Sequence, residues 1–205
     1  MPDAPEAYGL EGFAADLTAV IARCAGPVVL VGWSMGVLVS LTFLAAQGSD
    51  RLCGLVLASG TACPGSQAQW FRGSDAASIA EEARARAERL SLKAYAQPQA
   101  VAGAWMAARR ADLRPMLSQV NVPTLVVHGS ADDQCPLSHG EAMAAGIPGA
   151  DLLVWPDGGH NLMAEDPAGI AAALVGFIGK ALAEPSQAQL HPASRPAPLD
   201  GSRSF

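Results

Sequence analysis

Leu10, Phe13, Ala14, Leu17, Val20 and Ile21 recur at the three-and-four spacing of a single helix face, and the pattern stops before Gly26, a residue that tolerates a left-handed helix end. The period then changes. Val28–Val31 is a valine-rich run, Gly32–Gly36 has the composition of a turn, and Val37, Leu38, Leu41 and Leu44 return to helical spacing. Val28 to Ala46 has no charged residue, and its 19 positions approach the minimum for a membrane span. The change of period inside it, with few flanking Lys or Arg residues, predicts strand, sharp turn and helix instead.

A second strand is expected at Leu52–Ala58, followed by a loop rich in Gly, Ser, Cys and Pro and by helices over about 74–90 and 98–110. The first of these helices has a thin apolar face of Ile79, Ala83, Ala87 and Leu90. Regular alternation resumes with a strand at Thr124–His128, a helix near Ser138–Ala145 and a strand at Asp151–Trp155. The last helix has Asp166 as its cap, Pro167 at its first position, and Ile170, Ala173, Leu174, Phe177, Ile178 and Ala181 on one side. Strands alternating with helices imply a mostly parallel sheet of about four strands with helices on both faces, so the fold class is α/β. Residues 1–184 read as one domain, and 185–205, rich in Pro, Ser, Gln and Ala without periodicity, as a disordered tail.

Composition narrows the classes of function. Of 205 residues, 50% are apolar and 16% charged, which suits a packed core. Thirteen basic against 19 acidic residues, with no Lys/Arg cluster, argue against nucleic acid as a partner. Cys24, Cys53, Cys63 and Cys135 form no metal-binding pattern, so reduced thiols, no metal and a cytoplasmic setting are expected. The neighbouring Asp132 and Asp133 lack further carboxylates for a divalent cation, and Arg84, Arg86 and Arg89 read as a solvated helix face.

Gly32-Trp33-Ser34-Met35-Gly36 is a G-x-S-x-G pentapeptide between a strand and a helix, the context that makes it a nucleophile elbow. A serine there is held in a strained turn with its hydroxyl clear of the sheet, and the flanking glycines avoid clashes with neighbouring strand or helix. The following helix aims its free N–H groups at any oxyanion. Among four histidines, His191 lies in the tail, His139 opens a surface helix, and His128 ends a strand in a packing position. His160, in the glycine-rich loop after the Asp151–Trp155 strand, is the candidate base. Asp132, directly after the Thr124–His128 strand, is the candidate orienting acid, with Asp133 its competitor.

These segments together resemble the later half to two-thirds of an α/β-hydrolase-fold protein, over about residues 8–183. The resemblance rests on Val28–Gly36, on Val122–Pro136 with its G-x-x-D-x-x-x-P pattern, and on Gly158–Pro167. It implies Ser34 as nucleophile, Asp132 as acid, His160 as general base and the Met35 N–H in the oxyanion hole. Trp33 before the serine is similar to bacterial short-chain carboxylesterases. The family's strands before the elbow strand, and the His-Gly loop giving a second oxyanion donor, have no counterpart in the first 27 residues. The region 60–123 is short for the family's helical cap.

The expectation is a serine hydrolase cleaving small carboxylic esters or thioesters through an acyl-enzyme, without cofactor. The alternative is a catalytically silent remnant or a partner-dependent module. Val28–Val31 would lie at an open sheet edge, with a homodimer or partner fragment as the expected occupant.

Overall fold

The computed structural model describes residues 5–183 apart from 66, 69 and 90, so the tail expected at 185–205 lies outside the described residues. Its centre is a sheet of four parallel strands in the order β1 (Val28–Trp33), β2 (Leu52–Ala58), β3 (Thr124–Gly129) and β4 (Asp151–Trp155). The helices are α1 (Leu10–Ile21), α2 (Met35–Gln47), α3 (Ala76–Arg89), α4 (Pro98–Ala108), α5 (Leu137–Gly146), α6 (Leu162–Glu165) and α7 (Pro167–Ala183). Short 3-10 turns at Pro5–Tyr8 and Arg114–Gln119 complete it.

Each strand pairs beside its predecessor, always in the same direction across the sheet. Parallel crossovers are right-handed, so such a run stacks its connections on one face. There Leu55, Leu57 and Val126 pack against Leu41 and Phe43 of α2, Met116 and Leu117 of the second 3-10 turn, Met143 of α5, and Ala14 and Ile21 of α1. The opposite face has α7, which returns after β4 and lays Ile170, Leu174 and Phe177 against Val56, Ala58, Leu125 and Val127. β2 and β3 are buried throughout, as expected of strands covered on both faces.

β1 and β4 are the edge strands. Among the described residues β1 pairs with β2 alone, and Val31 is 45% exposed. The expected strand–turn–helix in the uncharged stretch is present as β1 and α2, and no described helix is long and apolar enough to cross a membrane.

Two expected details differ. Val20 is 61% exposed, because it sits at the margin of an α1 stripe centred on Leu10, Ala14 and Ile21. Gly26 does not end α1: the helix closes earlier, with Ala22 in right-handed geometry, its N–H donating to the Thr18 carbonyl and the Arg23 N–H to the Val20 carbonyl.

Candidate active site

The three expected side chains converge at the carboxyl ends of three strands. Ser34 follows β1 with φ 55° and ψ −119°, a left-handed conformation that non-glycine residues rarely adopt. Its N–H donates to the Ala58 carbonyl (2.9 Å), so the ladder to β2 runs up to the turn itself. Gly32 is required for the turn: a Cβ there would stand 2.6 Å from the Gly36 carbonyl oxygen and 2.7 Å from Ser40 Oγ. Gly36 is not required in this way, since a Cβ at that position meets nothing within 4 Å.

Ser34 Oγ lies 2.8 Å from His160 Nε2, and His160 Nδ1 lies 2.9 Å from Asp132 Oδ2. With Nδ1–H donating to the carboxylate, Nε2 is left as acceptor for the serine hydroxyl. Asp132 is fixed in turn, because its Oδ1 accepts the N–H groups of Gln134 (2.9 Å) and Cys135 (2.8 Å). Burial pushes this carboxyl up, but His160 and the two backbone donors outweigh it and hold the group below its ordinary value. Asp133, the competing acid, is exposed, whereas Asp132 is buried against His160.

Met35 opens α2, so its N–H has no acceptor within the helix, and it directly follows Ser34 in the chain. A hydroxyl, an imidazole and a carboxylate linked in this order, next to such a donor, can move a proton off the hydroxyl and stabilise an oxyanion.

The remaining histidines have other partners. His128 is fully buried, and its Nε2–H donates to the Cys135 carbonyl (2.7 Å), which braces the turn carrying Asp132. His139 is in the first turn of α5 as expected, but it is half-buried and bonded to Thr61 Oγ1 (2.9 Å). Burial, and then the neighbouring His128, lower its pKa. Cys135 is buried, and that burial together with the Asp132 charge pushes its thiol up to about 12. Among the described residues no cluster of His, Cys, Asp and Glu could hold a metal ion.

A cavity of about 1130 Å³ opens above Ser34 and His160. Trp33, Phe71, Tyr95 and Trp105 are among its aromatic walls, and Arg86 and Arg89 of α3 also line it. The reading of Arg84, Arg86 and Arg89 as a solvated face holds for Arg84 and Arg89, which are exposed, and is corrected for Arg86. The Arg86 guanidinium lies over the Phe71 ring (5.0 Å to the centroid), and its Nη2 donates to the Trp70 carbonyl (3.2 Å). The sequence held a signal for it, since Arg86 is seven residues after the fully buried Ile79 and shares its helix face.

A four-stranded parallel sheet, a strained serine turn and this ordered triad define an α/β-hydrolase. The chain belongs to the alpha/beta hydrolase family, whose model matches residues 2–173. A pimeloyl-(acyl-carrier protein) methyl ester esterase of Neisseria meningitidis is 30% identical over 211 residues, covering 90% of this chain and 67% of that protein. Among solved structures, an esterase from Exiguobacterium antarcticum matches with a TM-score of 0.74 at 23% identity, over 87% of this chain and 76% of its own. A hydrolase from Pseudomonas aeruginosa matches at 0.68 with 29% identity, over 84% and 72%.

Proposed function

We propose that the protein hydrolyses carboxylic esters or thioesters through an acyl-enzyme on Ser34. The observation that carries this reading is the continuous path from Ser34 Oγ through His160 to Asp132, at 2.8 and 2.9 Å. His160 Nε2 takes the serine proton as Oγ bonds to the acyl carbon, and the Met35 N–H supports the oxyanion. The imidazolium then protonates the departing alcohol or thiol. In the second half His160 deprotonates water, which attacks the acyl carbon and releases Ser34 and the acid. The apolar cavity suits the acyl chain, and the Neisseria relative, named for a methyl ester of a pimeloyl group, supports an ester of a medium-length acyl chain as substrate.

A fluorophosphonate probe is expected to modify Ser34 in the wild type and to leave Ser34→Ala blank by peptide mass mapping. An unmodified wild type overturns the proposal. Loss of one oxyanion donor costs about 100- to 1000-fold in rate, so slow labelling of a correctly assembled triad would favour the silent or partner-dependent reading.

A further inference from the structure

The proposed chemistry requires the His160 ring to meet Ser34 and Asp132 at once. Yet His160 lies between β4 and α6 beside Gly158 and Gly159, where the backbone is intrinsically free. Hydrogen bonds to Glu165 and Trp33 remove that freedom. Gly159 N–H donates to Glu165 Oε2 (2.7 Å) and Asn161 N–H to Glu165 Oε1 (3.2 Å). The two oxygens of one carboxylate therefore hold the peptide on either side of the histidine. The His160 carbonyl accepts a third bond, from Trp33 Nε1–H (3.0 Å).

A carboxylate serving only as the cap of α6 would need the Asn161 N–H alone. The shorter bond instead goes to Gly159, outside the helix and on the far side of His160. The carboxylate also lies close to the Gly159 Cα, since a Cβ there would stand 2.8 Å from Glu165 Oε1. Bonds from N–H to an ionised carboxylate are about twice as strong as neutral ones, which suits an anchor at an exposed position.

We propose that Glu165 is a positioning residue for the hydrolysis: its carboxylate pins the backbone on both sides of His160 and so keeps the imidazole in line between Ser34 and Asp132. This rests on the acyl-enzyme reading above. The test compares Glu165→Ala and Glu165→Gln with wild type in the full chain, using a p-nitrophenyl short-chain ester, fluorophosphonate labelling and proton NMR. Glu165→Ala is expected to lower kcat and the labelling rate by about 10- to 100-fold with KM within about twofold, as for a small misplacement of a reacting group. The downfield His160 Nδ1–H resonance should broaden, and the Gly159 and Asn161 amides should exchange faster. Glu165→Gln, which keeps one acceptor oxygen, should fall between.

Wild-type kcat in Glu165→Ala, with a sharp Nδ1–H resonance, overturns the proposal. If wild type neither labels nor turns over, the hydrolase reading fails separately. The resonance and the two amides still decide whether Glu165 pins the loop, and no change in them overturns that.

Discussion

The floor of the cavity and its cover are built on different principles. The floor belongs to the sheet: Ser34, Asp132 and His160 leave β1, β3 and β4, and Asp132 and His160 are each only 6% exposed. Every polar group of the triad has a bonded partner there. The cover is α3 and α4 with the loop before them, where Ile79, Ala102 and Trp105 make a small core with Trp70 and Phe71 at its margin. Most of the outer face of α3 is charged, and its Arg84–Glu81 pair is exposed on both sides and adds little stability. A rigid floor with a thinly packed cover separates the two tasks, since the floor can hold reacting groups while the cover decides what reaches them.

The largest expected effect tests the floor. Asp132→Asn should lower kcat/KM by about 10⁴-fold, because an amide no longer fixes the imidazole tautomer. Asp133→Asn should stay within about twofold, and the reverse ranking in steady-state ester hydrolysis would move the acid by one position. The same variant probes stability. Asp132 titrates below its ordinary value of about 3.9 when folded, so its contribution is full above that value and lost as pH falls through the lower folded value. Urea unfolding of Asp132→Asn should therefore show a flatter loss of stability than wild type below about pH 4.

A smaller effect tests the cover. Trp105→Ala removes a wall that is 5% exposed and packs at a tilt against Trp70 (4.8 Å between centroids). KM for a medium-chain ester should rise about tenfold, the range for losing apolar contact with a substrate chain, while fluorophosphonate labelling of Ser34 changes little. A labelling rate that falls with KM would show that floor and cover are coupled.

The smallest effect concerns the margin of the floor. Among the described residues the outer ladder of β1 is unpaired and carries no charge to repel a second copy, and we expect self-pairing through it in micromolar solution. Light scattering should show a concentration-dependent dimer, and Val31→Lys should shift it towards monomer. A wild-type monomer with strongly protected amides at 28–31 would place another partner on that edge.

The floor was legible because each part has a local signature. A valine-rich run, a glycine and a helical period surround Ser34, and Asp132 and His160 follow recognisable strands within 28 residues of each other. Periodicity also fixed the α/β class. The cover was opaque for a physical reason: Trp70, Phe71, Arg86 and Trp105 meet only through the docking of α3 and α4, which no local spacing encodes. Glu165 was missed likewise. Its role depends on a loop doubling back so that two amides flanking His160 reach one carboxylate.

The strand order has a consequence for the time course of folding. Each new strand pairs beside the one made before it, so the sheet can be laid down in the order of synthesis, with a short step from β1 to β2 and from β3 to β4 and a long one, through α3 and α4, from β2 to β3. The reactive assembly cannot form so early. Ser34 and His160 are 126 residues apart, so a nascent chain ending before β4 carries the strained serine turn without its His160 partner. On the proposed acyl-enzyme reading, competence for acyl transfer arrives only after the segment that holds His160 has left the ribosome and docked.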